Sequence, residues 1–103
     1  MKLPDYFRVG GQLIEVEHPK ELEGAKLGTC CVAEGSIKIA DTFQGKEQSE
    51  SSKANTFFHE LTHCILDTMG RDDLSADESF VNTFASFMNE AYFTMGYYET
   101  EKK

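Results

Sequence analysis

The stretch Ala54-Asn55-Thr56-Phe57-Phe58-His59-Glu60-Leu61-Thr62-His63-Cys64-Ile65-Leu66 decides how the chain is read. Apart from Cys64, its only ionisable side chains are His59, Glu60 and His63; every other position is apolar, Asn or Thr. A helix so poor in charge is buried on most of its surface. Around it the apolar residues Ala54, Phe57, Phe58, Leu61, Ile65 and Met69 recur at helical spacing. Ser49 or Ser51 stands where an N-cap is wanted, and Gly70 where a left-handed residue ends the helix.

Downstream, a second helix is expected to begin near Ser75, where Ser75-x-x-Glu78 has the form of a capping box. It continues through Phe80, Phe84, Phe87, Met88, Ala91 and Met95. Arg71 to Leu74 is a short connection, so the two helices should run roughly antiparallel. Upstream the period changes to two. Tyr6 to Val9 and Gln12 to Glu17 flank Gly10-Gly11, with Ile14 and Val16 expected inward and Glu15 and Glu17 outward. After a polar stretch, Leu27, Thr29, Cys31 and Ala33 share one face, and Glu34-Gly35-Ser36 turns the chain into Ile37 and Ile39. Asp41 to Glu50 is polar and reads as the connection from sheet to helix. The expected fold is α+β: a small antiparallel sheet of two hairpins followed by two packed helices, in a single domain over 1–103.

Composition narrows the classes of function. Apolar residues make up 40% of 103, with eight Phe and four Tyr, enough to build a core of modest size. The formal net charge is −8, and Lys102-Lys103 is the only basic pair, so the chain lacks the footprint of a protein that binds nucleic acid directly. Three cysteines, two of them adjacent at Cys30 and Cys31, do not make a disulfide framework. Met1 to Tyr6 has no basic start leading into an apolar run, and no apolar segment approaches the roughly 18 to 20 residues of a membrane span. A reduced, cytoplasmic protein with no membrane segment is expected.

Residues four apart on a helix lie one turn apart on one face, which lets the imidazoles of His59 and His63 reach one ion at the roughly 2.0 to 2.1 Å of a zinc–nitrogen bond. Glu60 is rotated about the helix, so it can sit beside an open position of the metal and accept a proton from water instead of ligating. The competing reading is two core histidines satisfied by backbone or carboxylate partners. That would leave several buried polar groups to satisfy on one apolar helix. On the second helix, Glu78, Asn82, Ala85, Ser86 and Asn89 form one polar or small stripe at helical spacing. Asp67 lies one turn beyond His63, near a helix C-terminus where the macrodipole disfavours an acid, so it is either solvated or hydrogen-bonded to an imidazole. Asn82 is either such a second-layer partner or a helix-packing amide. Cys64 reads as core and His18 as exposed.

His59-Glu60-Leu61-Thr62-His63 resembles the HELxH motif of gluzincin-type peptidases, and Glu78-x-x-x-Asn82-x-Phe84-Ala85 resembles the downstream segment of the ImmA/IrrE family of metallopeptidases. The resemblance covers about Thr56 to Met88. Its sheet half matches in order and approximate length, as in short phage and prophage members; Phe87-Met88-Asn89-Glu90 stands where that family has Leu-Leu-Met-Pro. It implies a minimal zincin-like domain holding one zinc ion through His59, His63 and Glu78. Glu60 would be the general base for hydrolysis of peptide bonds in a partner protein or peptide, transcriptional regulators included. Two alternatives stay open at this point: Glu78 as the far half of the Ser75 capping box, and a zinc-binding interaction module without catalysis. Tyr92, Tyr97 or Tyr98 could offer a phenol to an oxyanion, and none is assigned. Ile37 to Ala40 is the candidate edge strand for an extended substrate.

Overall fold

Gly10 and Gly11 both take positive φ (58° and 82°), which lets the chain reverse within two residues between β1 (Tyr6–Val9) and β2 (Gln12–Glu17). A second hairpin joins β3 (Gly28–Cys31) to β4 (Ser36–Ile39), with Gly35 at φ 66° in its turn. A two-stranded ribbon of β5 (Thr42–Phe43) and β6 (Lys46–Glu47) follows, then α1 (Glu50–Met69), the single turn α2 (Asp72–Ser75) and α3 (Glu78–Thr94). These elements come from a computed structural model, which describes residues 3–96.

The architecture is α+β, and its sheet is mixed. Each hairpin is antiparallel, but they meet through β2 and β4, which run parallel with Val16 opposite Ile37, giving the order β1-β2-β4-β3. The ten residues between β2 and β3 are long enough to cross to the far side, so the strand with the most apolar face becomes internal. Ile37 and Ile39 are fully buried there, and Ile14 and Val16 turn inward beside them while Glu15 and Glu17 stay exposed. Ile37 to Ala40 is therefore central and cannot be a free edge. Among the described residues the open edge beside the helices is β3. Its helix-facing row is Gly28 and Cys30, while Leu27 is exposed.

α1 packs on the sheet with one side and on α3 with another. Ser49 caps it by accepting from Ser52 N–H, and Gly70 ends it at φ 76°. Phe57 and Phe58 join Ile14, Val16, Ile37, Ile39, Cys64 and Ala85 in the core, with Phe7 edge-on to Phe57 at 5.9 Å. α3 starts later than the capping-box reading placed it. Asp77, not Ser75, is the N-cap, accepting from Phe80 N–H at 3.1 Å, and this frees both Ser75 and Glu78 for other contacts. Among the described residues no helix is long and apolar enough to cross a membrane.

Candidate metal centre

His59 and His63 project from α1 on one side, and Glu78, the first residue of α3, reaches between them. His59 Nε2 lies 3.6 Å from Glu78 Oε1, and His63 Nε2 lies 3.6 Å from Glu78 Oε2. The imidazole rings stand edge to face with centroids 4.9 Å apart, and one ligand atom from each of the three residues lies within 4.8 Å of the other two. These separations are too long for hydrogen bonds, which close to about 2.7 to 3.2 Å. They approach the spacing of donors around one small cation: bonds of roughly 2.05 Å in a tetrahedron put neighbouring donors about 3.3 Å apart. The three side chains can hold a metal ion.

A polar contact orients one of the rings. His63 Nδ1 is 2.9 Å from Ser75 Oγ, and with its proton donated to that hydroxyl the Nε2 lone pair faces the centre. Asn82, one turn beyond Glu78, is a polar neighbour of His59 and favours its protonated form. Burial, then the neighbouring His63, lowers the pKa of His59 below its usual 6.5, against the opposing pull of Glu78 and Asn82. That keeps the ring neutral at neutral pH, the form that ligates.

Glu60 adjoins His59, lies against β3 at Gly28 and is only 8% exposed. Burial first, and the charge of Glu78 second, push its carboxyl up to about 7, while Lys26 pulls it down. β3 fits against it because residue 28 is glycine. A Cβ there would stand 3.2 Å from Glu60 Cγ, 2.6 Å from Thr56 Cγ2 and 3.0 Å from the Lys38 carbonyl oxygen. No protein-family model, curated protein or solved structure matches this chain. The site thus stands on its own geometry.

Of the residues singled out in sequence, the structure brings together His59, His63, Glu78 and Asn82, with Glu60 one residue from His59 on the sheet side. Asp67 is exposed and makes no hydrogen bond to either imidazole; the polar partner of His63 is Ser75. Cys64 is fully buried and His18 exposed. Tyr92 packs on Phe58 at 5.8 Å, and Tyr97 and Tyr98 lie outside the described residues. Sequence reasoning missed Ser75, read there as a cap, and it missed Gly28, whose closeness to Glu60 depends on strand pairing.

Proposed function

We propose that this chain is a zinc-dependent metallopeptidase of the ImmA/IrrE kind, cleaving peptide bonds in a partner protein such as a transcriptional regulator. The observation that carries the reading is the pair of 3.6 Å separations that set both imidazoles and both oxygens of Glu78 around one point, beside a buried carboxylate. Two imidazole nitrogens and a carboxylate oxygen suit zinc and leave a position open. When bound, the ion supplies Lewis acidity to the scissile carbonyl and makes a water molecule more acidic.

The chain's own residues do the rest. Glu60 takes the proton of the attacking water and passes it to the leaving amine, and the burial that raises its pKa makes it a stronger base than an exposed carboxylate. Ser75 holds the His63 ring in register with Glu78, and Asn82 is the polar neighbour of His59. β3 offers an open edge at the site. Ala40 N–H bonds to the Leu27 carbonyl, so by the alternation of an antiparallel ladder the backbone groups of Gly28 and Cys30 point away from β4, free to pair with an extended peptide.

Glu60→Gln preserves shape while removing the proton acceptor. Zinc content and cleavage of a candidate partner protein, measured on one preparation, should show near-stoichiometric metal with a rate lower by about 10² to 10⁴-fold. Retention of both metal and full activity would overturn this mechanism, and a zinc-loaded parent that cleaves nothing would favour the inert interaction module.

A further inference from the structure

α1 and α3 run antiparallel, and the candidate metal ligands occupy only one stretch of the seam between them, with the start of α3 level with His59 and His63. Farther along, where the first turns of α1 meet the later turns of α3, a cleft of about 400 Å³ opens. Its walls include Glu50 and Asn55 from α1, and Ser86, Asn89, Glu90 and Phe93 from α3. On both helices this cleft continues the face that carries the metal centre: Asn55 is one turn before His59, and Ser86 is one turn beyond Asn82. Along the axis of α1, Asn55 stands roughly 6 Å from His59 and Glu50 roughly 13.5 Å. An extended peptide rises about 3.3 Å per residue, so one whose scissile bond lies at the metal brings a side chain roughly two to four residues away over this cleft.

The cleft is rich in acceptors and has no cation of its own. None of its lining residues among those described is basic, and neither Glu50 nor Glu90 forms an ion pair or a side-chain hydrogen bond among the described residues. Asn89 Oδ1, in the α3 wall, is the one buried side-chain polar atom among the described residues left without a hydrogen-bond partner. Acidic side chains are common over this surface; what sets Glu50 and Glu90 apart is that they share a cleft beside the metal centre. Phe93, 44% exposed, adds an aromatic ring to the wall. A guanidinium answers this lining best: it is permanently charged, carries five N–H donors in one plane, is weakly hydrated and stacks on aromatic rings. A neutral or acidic side chain would leave both carboxylates unanswered.

Resting on the peptidase reading above, we infer that this cleft is a specificity site that takes an arginine side chain of the substrate, roughly two to four residues from the bond that is cleaved. Glu50 and Glu90 meet the guanidinium, and Phe93 offers its ring to the planar group. Both carboxylates lie more than two helical turns from the nearest ligand on their own helix, so they select the peptide and take no part in the proton transfers at Glu60.

The test is calorimetric binding of pentapeptide hydroxamates to the zinc-loaded chain. One series carries the zinc-binding hydroxamate at its C-terminus and another at its N-terminus, so that both directions along the groove are sampled. Each peptide holds a single arginine, or its neutral isostere citrulline, two, three or four residues from the hydroxamate. In one series an arginine peptide should bind about 5- to 20-fold tighter than its citrulline twin, above the worth of one exposed ion pair and below that of a fully buried charged hydrogen bond. The double variant Glu50→Gln, Glu90→Gln should lose that preference while its zinc content and its affinity for the citrulline peptide stay the same. Equal affinities for arginine and citrulline at every position in both series would overturn the inference, and so would a preference that survives in the double variant. A parent chain that takes up no zinc, or that holds zinc and binds no hydroxamate, would instead bring down the peptidase reading, and the specificity site with it.

Discussion

α1 and α3 are of similar length and both amphipathic, yet they are held very differently. α1 buries Ala54, Thr56, Phe57, Phe58, Glu60, Thr62, Cys64 and Leu66, between the sheet and α3. α3 buries only Val81 and Ala85, and Phe84, Phe87, Tyr92, Phe93 and Met95 are each at least 44% exposed. The candidate ligands divide along the same line, with two imidazoles on the anchored helix and one carboxylate on the first turn of the lightly held one. A metal there would be a fastening as well as a reagent, adding to the attachment of α3 what its packing does not supply.

The sharpest way to break the contrast is to truncate one aromatic on each helix. Phe57→Ala empties a site in the core and should cost about 3 to 5 kcal/mol, whereas Phe87→Ala, 65% exposed, should change stability by less than about 0.5 kcal/mol. Urea melts of the two variants check this, and similar losses would mean that the outer face of α3 is covered in solution.

A second probe uses the charge buried on α1. In the folded chain Glu60 holds its proton up to about 7, against 4.5 for an ordinary carboxyl. The folded state therefore binds more protons than the unfolded state across that window. Stability contributed by the protonated form is full below pH 4.5 and lost as pH rises through 7. In chelator-treated protein Glu60→Gln should thus gain on the parent as pH rises from 4.5 to 7, by on the order of 3 kcal/mol at full shift. A constant difference between the two melts across that range would contradict it.

A smaller effect tests the strand against α1. Gly28→Ala puts a methyl group into the backbone of Lys38 and the short side chain of Thr56, neither of which yields easily, and should cost about 1 to 3 kcal/mol. Gly45→Ala is a poor control because φ there is 82°; Gly96, with nothing within 4 Å of an added Cβ, is the better one.

What could be read in advance follows from how local each signal is. α1 announced itself through its cap at Ser49, its apolar period and Gly70, and the His-x-x-x-His spacing needed no tertiary information. Both hairpins were legible from their glycine turns, but the alternation picked the inner face only of β2 and β4; on β3 the row facing α1 is Gly28 and Cys30, not Leu27, Thr29, Cys31 and Ala33. The parallel pairing of Glu15 to Glu17 with Ser36 to Lys38 was not, because no local residue specifies which strand a ten-residue crossover will bring alongside. The Ser75 to Glu78 spacing fits a capping box, but Asp77 supplies the cap, and the hydroxyl turned to His63 instead. Gly28 was silent for the same reason as the sheet order: its meaning lies in what the strand is laid against.

The central claim is that α1 and α3 are joined through one metal ion held by His59, His63 and Glu78, and zinc per chain after exhaustive dialysis tests it most directly. Because Asp77 caps α3, Glu78→Gln leaves the start of that helix intact, so lost zinc reports the ligand and not the fold. The parent should retain one zinc, His59→Ala and His63→Ala none, and Glu78→Gln substantially less than the parent. Zinc content unchanged across the three variants, or none in the parent, would contradict the account.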